Sequence, residues 1–290
     1  MQNLSVRNTV RGIYDIQKLR IQCSNRVVAN FKAKLGQQPS ATEDQMPDES
    51  INLLVQLRRS HKLISDAIAE RPRLRKFPGD ELISDQAEYS LITQYVDLYD
   101  QESKQFKMLE RFLRDVPLWT DFLKGVTGCG PAMAGVILSE IDIHKAEYPS
   151  SIHAYAGLDV ASDGRGRSKR KEHLTEQNYL DSEGNEKTKM GITFNPFLKT
   201  KLMGVLGSSF IKQSPDKCKY REIYDNYKHR LEHMDAHAEK SKGHRHNMAT
   251  RYMIKMFLND LYNAWRTLEG LPVAPTYQEA KLGKTHKKAA

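Results

Sequence analysis

Cysteine is scarce, and its scarcity excludes several chemistries. The chain holds 3 cysteines in 290 residues. Cys23, Cys129 and Cys218 lie far apart and odd in number. They offer neither a zinc-ligand spacing nor a disulfide framework, and a reducing cytoplasm is the setting this implies. Long apolar runs are also missing. No stretch approaches the ~20 residues that span a bilayer, and residues 1–14 lack the apolar core of a secretory signal. The expectation is a cytoplasmic protein with no membrane partner. The phosphate signatures of nucleotide enzymes are absent too: there is no P-loop, and Gly164-Arg165-Gly166 alone is too short to be a dinucleotide fingerprint. His229, His233 and His237 stand one helical turn apart, but Lys228 and Arg230 lie beside them and no cysteine or placed acid completes a set. They read as basic surface, with no metal assigned. Positive charge is what the chain has in excess. Lys and Arg number 45 against 36 Asp and Glu, a formal net charge of +9, with an isoelectric point near 9.3. Such a balance favours polyanionic partners, nucleic acid ahead of a membrane surface.

Helical spacing dominates the first third. Val10, Ile13, Val27, Phe31 and Leu35 mark one helix, and Leu53, Leu54, Leu57, Ile64 and Ile68 a second. Ser84 is the expected cap of a third helix reaching about Asp115, with Leu91, Tyr95, Leu98, Phe106, Leu109 and Leu113 in a near-heptad beat. Residues 36–48 and 71–79 read as breaks. After Pro117 the texture changes. A short helix is expected over 149–156, then strands over 172–179 and 187–194 joined by the turn at 181–185. Asn195-Pro196 reads as an N-cap and first-turn proline for a helix through Lys212. Further helices are expected over about 216–236 and from Gly243 to before Gly270. The fold class is therefore mainly α. An N-terminal helical bundle or coiled-coil-like helix (1–116), able to dimerise, precedes an α domain (117–270) with a helix-hairpin-helix and a small β-hairpin insert. Residues 271–290 read as a basic flexible tail.

Two stretches carry the candidate chemistry. In residues 122–141, Gly125, Gly128 and Gly130 precede Pro131 and Ala132. Glycines permit a tight turn and leave backbone N–H groups uncovered, and proline suits the first helical position. Those amides and the positive end of the following helix make a socket for phosphate. The second stretch, Gly164–Lys171, packs Arg165, Arg167, Lys169, Arg170 and Lys171 into eight residues. On a glycine-containing loop these cations reach several phosphates and release counterions. Lys199, Lys201, Lys242 and Arg245 complete the DNA-binding set. Lys242 and Arg245 sit near a helix N-terminus, which disfavours cations unless an anion is there. Ser162 precedes the basic stretch. A hydroxyl beside cations can attack a phosphodiester, and the positive charge stabilises the anionic transition state.

In this order the pieces resemble the transposase domain of the insertion-sequence family known as IS-one-ten, with IS-one-sixteen and IS-nine-oh-two. The resemblance rests on Leu123–Ile141, His153-Ala-Tyr-Ala-Gly-Leu158, Ser162–Lys171, Gly191–Lys201 and Lys242–Leu258, about half the chain. It implies a DNA recombinase whose serine attacks DNA and forms a covalent link. Ser162 in Ser162-Asp163-Gly164 is the nearest match to that serine, with Ser168 as a rival. It also implies DNA as partner and a structured guide RNA for some members; self-association into a homo-oligomer is expected from the long N-terminal helix. The family's acidic nuclease domain has no counterpart in the helical first 115 residues. Magnesium would need an acidic site that the sequence does not identify, so no cofactor is assigned. Two alternatives stand beside the recombinase: a catalytically inactive, transposase-derived protein that grips nucleic acid through the hairpin, and a scaffold whose long helix pairs with a partner.

Overall fold

The computed structural model describes residues 4–38, 47–71 and 76–276. The expected loop at 36–48 and tail at 271–290 fall largely outside these residues, as does part of the break at 71–79. The chain divides into two compact units, Asn8–Leu109 and Met1–Arg7 with Glu110–Ala290. The architecture is mainly helical, with one two-stranded antiparallel sheet among the described residues.

In the Asn8–Leu109 unit, α1 (Leu4–Lys34), α2 (Asp48–Glu70) and α3 (Gln86–Leu113) share one core. Cys23, Val27, Val28 and Phe31 come from α1, Leu53, Leu54, Leu57 and Ile64 from α2, and Ile92 and Tyr95 from α3. The near-heptad stripe of α3 is thus spent within the unit, packed on its two neighbours. At 1.5 Å per residue, α3 is about 42 Å long. Its start differs from the expected cap by one residue. Asp85 Oδ1 accepts from the Glu88 amide at 2.8 Å, while the Ser84 amide donates to the Glu88 carboxylate at 2.8 Å. A carboxylate satisfies the helix amide better than a hydroxyl, and Ser84 becomes the reciprocal half of the cap.

The second unit begins with short helices and ends with a long one. It runs α4 (Pro117–Asp121), a 3-10 turn (Leu123–Gly125), α5 (Pro131–Glu140) and α6 (Pro149–Tyr155). β1 (Thr175–Leu180) and β2 (Glu186–Gly191) follow, then α7 (Pro196–Thr200), a π-helical segment (Lys201–Leu206), α8 (Gly207–Ile211), α9 (Lys219–Glu232) and α10 (Lys242–Leu268). Proline holds the first position of α4, α5, α6 and α7, where its fixed φ suits the helix and its missing N–H leaves nothing unpaired. Helix α10 is the spine. Met253, Ile254, Phe257, Leu258, Leu261 and Tyr262 are buried along it, and α4, α6, α8, α9 and the π segment pack on it. Phe210, Tyr220 and Phe257 form an aromatic knot with centroids 4.8–5.6 Å apart. No described helix is long and apolar enough to cross a membrane.

The strands are shorter than expected and lie in register Thr175 opposite Gly191 through Leu180 opposite Glu186. Glu172 belongs instead to a 3-10 turn at Lys171–His173. Ile192–Phe194 leave the ladder because the Asn195 amide is needed 2.7 Å from the Tyr155 carbonyl. Asn195 then works twice. Its Oδ1 caps α7 by accepting from Leu198 N at 3.0 Å, and its Nδ2 donates to the buried Glu140 carboxylate at 2.5 Å. Asn195→Ala removes a cap and a donor to a buried charge, so it should cost about 2–4 kcal/mol. A lower denaturant midpoint at unchanged m-value checks this.

Candidate nucleic-acid interface

The bend between α4 and α5 is held from behind. Gly128 has φ +94°, and a Cβ there would come within 2.9 Å of Phe210 Cδ1. Only glycine fits that conformation and that approach. Ser209 Oγ donates to the Gly128 carbonyl at 2.7 Å, and Cys218 Sγ to the Thr127 carbonyl at 3.5 Å. The carbonyls therefore point inward. The amides divide into two groups. Those of Gly125, Val126 and Cys129 donate within the bend at 2.9–3.1 Å. Among the described residues, those of Thr127, Gly128, Gly130 and Ala132 meet no acceptor. The free set is thus Thr127, Gly128, Gly130 and Ala132, and Gly125 supplies no amide to it. Thr127 and Gly130 are exposed. Gly125 and Gly130 have no atom within 4 Å of a would-be Cβ, so packing does not require glycine at either position. What their bareness provides is open access to the backbone at the start of α5.

A second cluster lies where the basic loop folds onto α10. Val160 pairs with Gly166, and Ala161 N donates to Arg165 O at 2.8 Å. A Cβ on Gly166 would stand 1.8 Å from Arg251 Nη1, so the bare glycine is what lets that guanidinium lie against the loop. Arg167 grips Asp159 Oδ2 through Nε at 2.9 Å and Nη2 at 2.6 Å. Arg251 Nη1 reaches the Asp159 carbonyl at 3.3 Å. Lys199 Nζ donates to the Arg167 carbonyl and stands 4.7 Å from the Phe194 ring centroid. Lys255, one turn beyond Arg251, feels the same charges. Four cations thus gather about one carboxylate. Burial, and then the Arg251 charge, push Lys199 down to about 8. Lys255 and Arg251 are also lowered, burial first. His153, in the same region, is pushed down to about 4 by burial and the charge of Lys255. Its Nε2 is buried without a partner among the described residues.

The remaining expected residues separate clearly. Arg165, Lys169, Arg170 and Lys171 are exposed on the loop, and Lys242 on the first turn of α10. Lys201 lies half-buried with Nζ 5.6 Å from the Phe197 ring. Arg245 is turned inward. Its Nη1 donates to the carbonyls of His237, Ala238 and Lys240 at 2.5–3.4 Å, so it fastens the approach to α10. Ser162 is exposed, and its hydroxyl has no hydrogen-bond partner among the described residues. The histidine row does not hold together as a helix face. The His229 and His233 rings lie tilted with centroids 4.1 Å apart, but α9 ends at Glu232 and His237 bonds to Lys240. Among the described residues no group of three or more His, Cys, Asp or Glu is placed to hold a metal. Sequence reading missed Asp159, His153, Arg251 and Lys255. The i, i+4 spacing of Arg251 and Lys255 was the available signal, obscured by the apolar residues between them.

No family model matches the chain, and no curated protein matches it.

An anion bound here should couple to Lys199. With its pKa near 8, the free protein sheds this proton as pH rises through 8, and a bound phosphate must draw it back. Duplex affinity should therefore fall between about pH 7 and 9.5. Lys199→Arg, which keeps its charge, should flatten that fall. Fluorescence anisotropy at constant ionic strength across this range measures both.

Proposed function

We propose that the protein is a DNA-binding recombinase of a mobile element that grips the phosphodiester backbone through its second unit. The single observation that carries this reading is the excess of cations about Asp159. Arg167 binds the carboxylate, Lys199, Arg251 and Lys255 feel its charge, and burial lowers these last three. Partly buried like charges repel, and an arriving anion relieves that repulsion. The open amides of 127–132 and the exposed Arg165, Lys169, Arg170 and Lys171 extend the same preference across the unit. Backbone amides and clustered cations are groups that pair with phosphate oxygens, which supports a grip on backbone. The resemblance to the IS-one-ten family supports strand cleavage and transfer as the purpose of that grip. It also supports a guide RNA as partner, and the long N-terminal helices support a second copy of the chain. A second reading, binding without cleavage, is favoured by Ser162 itself, whose hydroxyl has no base beside it among the described residues.

Replacing Lys169, Arg170 and Lys171 together by glutamine tests the binding. All three are exposed, so thermal stability should hold within about 0.5 kcal/mol. The slope of log affinity against log salt on a random-sequence duplex should shrink by up to about 3, close to 0.9 per lost phosphate contact. A slope identical to the wild type's would remove the loop from the interface.

A further inference from the structure

We propose that Ser168, His173 and Asp163 form a proton relay that activates the Ser168 hydroxyl toward a phosphorus centre; this rests on the phosphodiester reading above. Ser168 Oγ lies 3.0 Å from His173 Nδ1, and His173 Nε2 lies 3.1 Å from Asp163 Oδ2. The histidine is buried, 3% exposed, while Ser168 is half-exposed at the centre of the basic loop. The tautomer follows from the backbone. The Ser168 amide also points at Nδ1, at 3.0 Å, and an N–H cannot donate to a protonated nitrogen. The ring proton is therefore on Nε2 and is donated to Asp163. Asp163 is held in place by the Arg165 amide at 2.9 Å. That amide, and then His173, keep its carboxyl below the usual range and so ionised. Ser168 Oγ accepts from the Arg170 amide at 3.3 Å, and its own hydrogen shares the single Nδ1 lone pair with the Ser168 amide. A hydroxyl, a base within reach of it and a third group orienting that base are the parts of an activated nucleophile. Ser162 has none of them among the described residues. A purely structural role, fastening the loop, would use the same bonds but would need no reactive serine.

The step balances without an added oxidant or reductant. Ser168 Oγ attacks phosphorus and forms the O–P bond while its proton passes to Nδ1. The bond from phosphorus to one sugar oxygen breaks, and that oxygen takes a proton from water. The hydroxide left behind takes the proton from His173. Lys169, Arg170 and Lys171 flank the serine and stabilise the charge of the crowded phosphorus. Ser168 and His173 are the catalytic residues, and Asp163 is a positioning residue.

The test uses the full chain and a biotinylated fluorophosphonate, whose phosphorus loses fluoride to an activated serine and needs no DNA sequence. Mass spectrometry should place the adduct on Ser168 in the wild type and in Ser162→Ala at equal rates. Ser168→Ala should stay unlabelled, and His173→Gln should label about 100-fold more slowly. Added imidazole should restore labelling to His173→Gly, which a fastening role does not predict. Asp163→Asn should slow labelling, and Asp163→Glu should restore part of the rate. An adduct on Ser162, an unlabelled wild type, or a His173→Gln variant that labels at the wild-type rate overturns the relay. Should the histidine variants fail to fold, the Ser162→Ala and Ser168→Ala pair still decides. An unlabelled wild type that binds duplex overturns the relay alone. A labelled wild type that does not bind duplex overturns the DNA reading alone.

Discussion

Asp159 is one carboxylate set among four cations, and the second unit is arranged around that imbalance. Arg167 takes both of its bonds from a single oxygen, Oδ2, leaving Oδ1 buried without a partner among the described residues. Arg251 settles for the backbone carbonyl of the same residue. Lys199 turns to the Arg167 carbonyl and the face of Phe194. Arg167, Arg251 and Lys199 have each found an oxygen or ring, but the charge is not neutralised. Burial, and then the charge of Arg251, lower Lys199 to about 8, so the site holds this proton weakly until a negative charge arrives.

That arrangement depends on α10. The helix buries one face as the core of the unit and turns Arg251 toward the loop. Gly166 is the complementary feature, because any side chain there would collide with the Arg251 guanidinium. The loop closes over Arg251, and closure also brings Ser168 and Asp163 to the two nitrogens of His173. Charge clustering and the proposed relay are thus two results of one loop conformation. The helix-hairpin-helix bend is separate. Its carbonyls are tied to Ser209 and Cys218 on the α8–α9 side, and its free amides look outward.

Features governed by local chemistry were legible in the sequence. Asn195 caps its helix through Leu198 N, and proline opens four helices as its fixed φ demands. The turn at 181–185 forms because Asp181 Oδ1 collects the amides of Glu183 and Asn185 at 2.9 Å each. The three long helices of the first unit follow from their apolar spacing. Features governed by contacts between distant residues were not legible. The strand ends yielded to a bond between Asn195 and Tyr155. The direction of Arg245 was set by carbonyls it meets only once the turn before α10 has formed. Charge alone marked Arg165 and Arg167 as equals, yet one is exposed and the other is locked to Asp159. His173 sits between Glu172 and Leu174 in a stretch that reads as strand, and nothing in its neighbours announces a ring buried against Ser168.

Hydrogen exchange of the full chain, with and without a short random-sequence duplex, tests the central claim most directly. The account predicts slowed exchange at Thr127, Gly128, Gly130 and Ala132, whose amides have no acceptor among the described residues, and across residues 159–171. Protection confined to Asn8–Leu109, or no protection at either stretch while the duplex is bound, would contradict it.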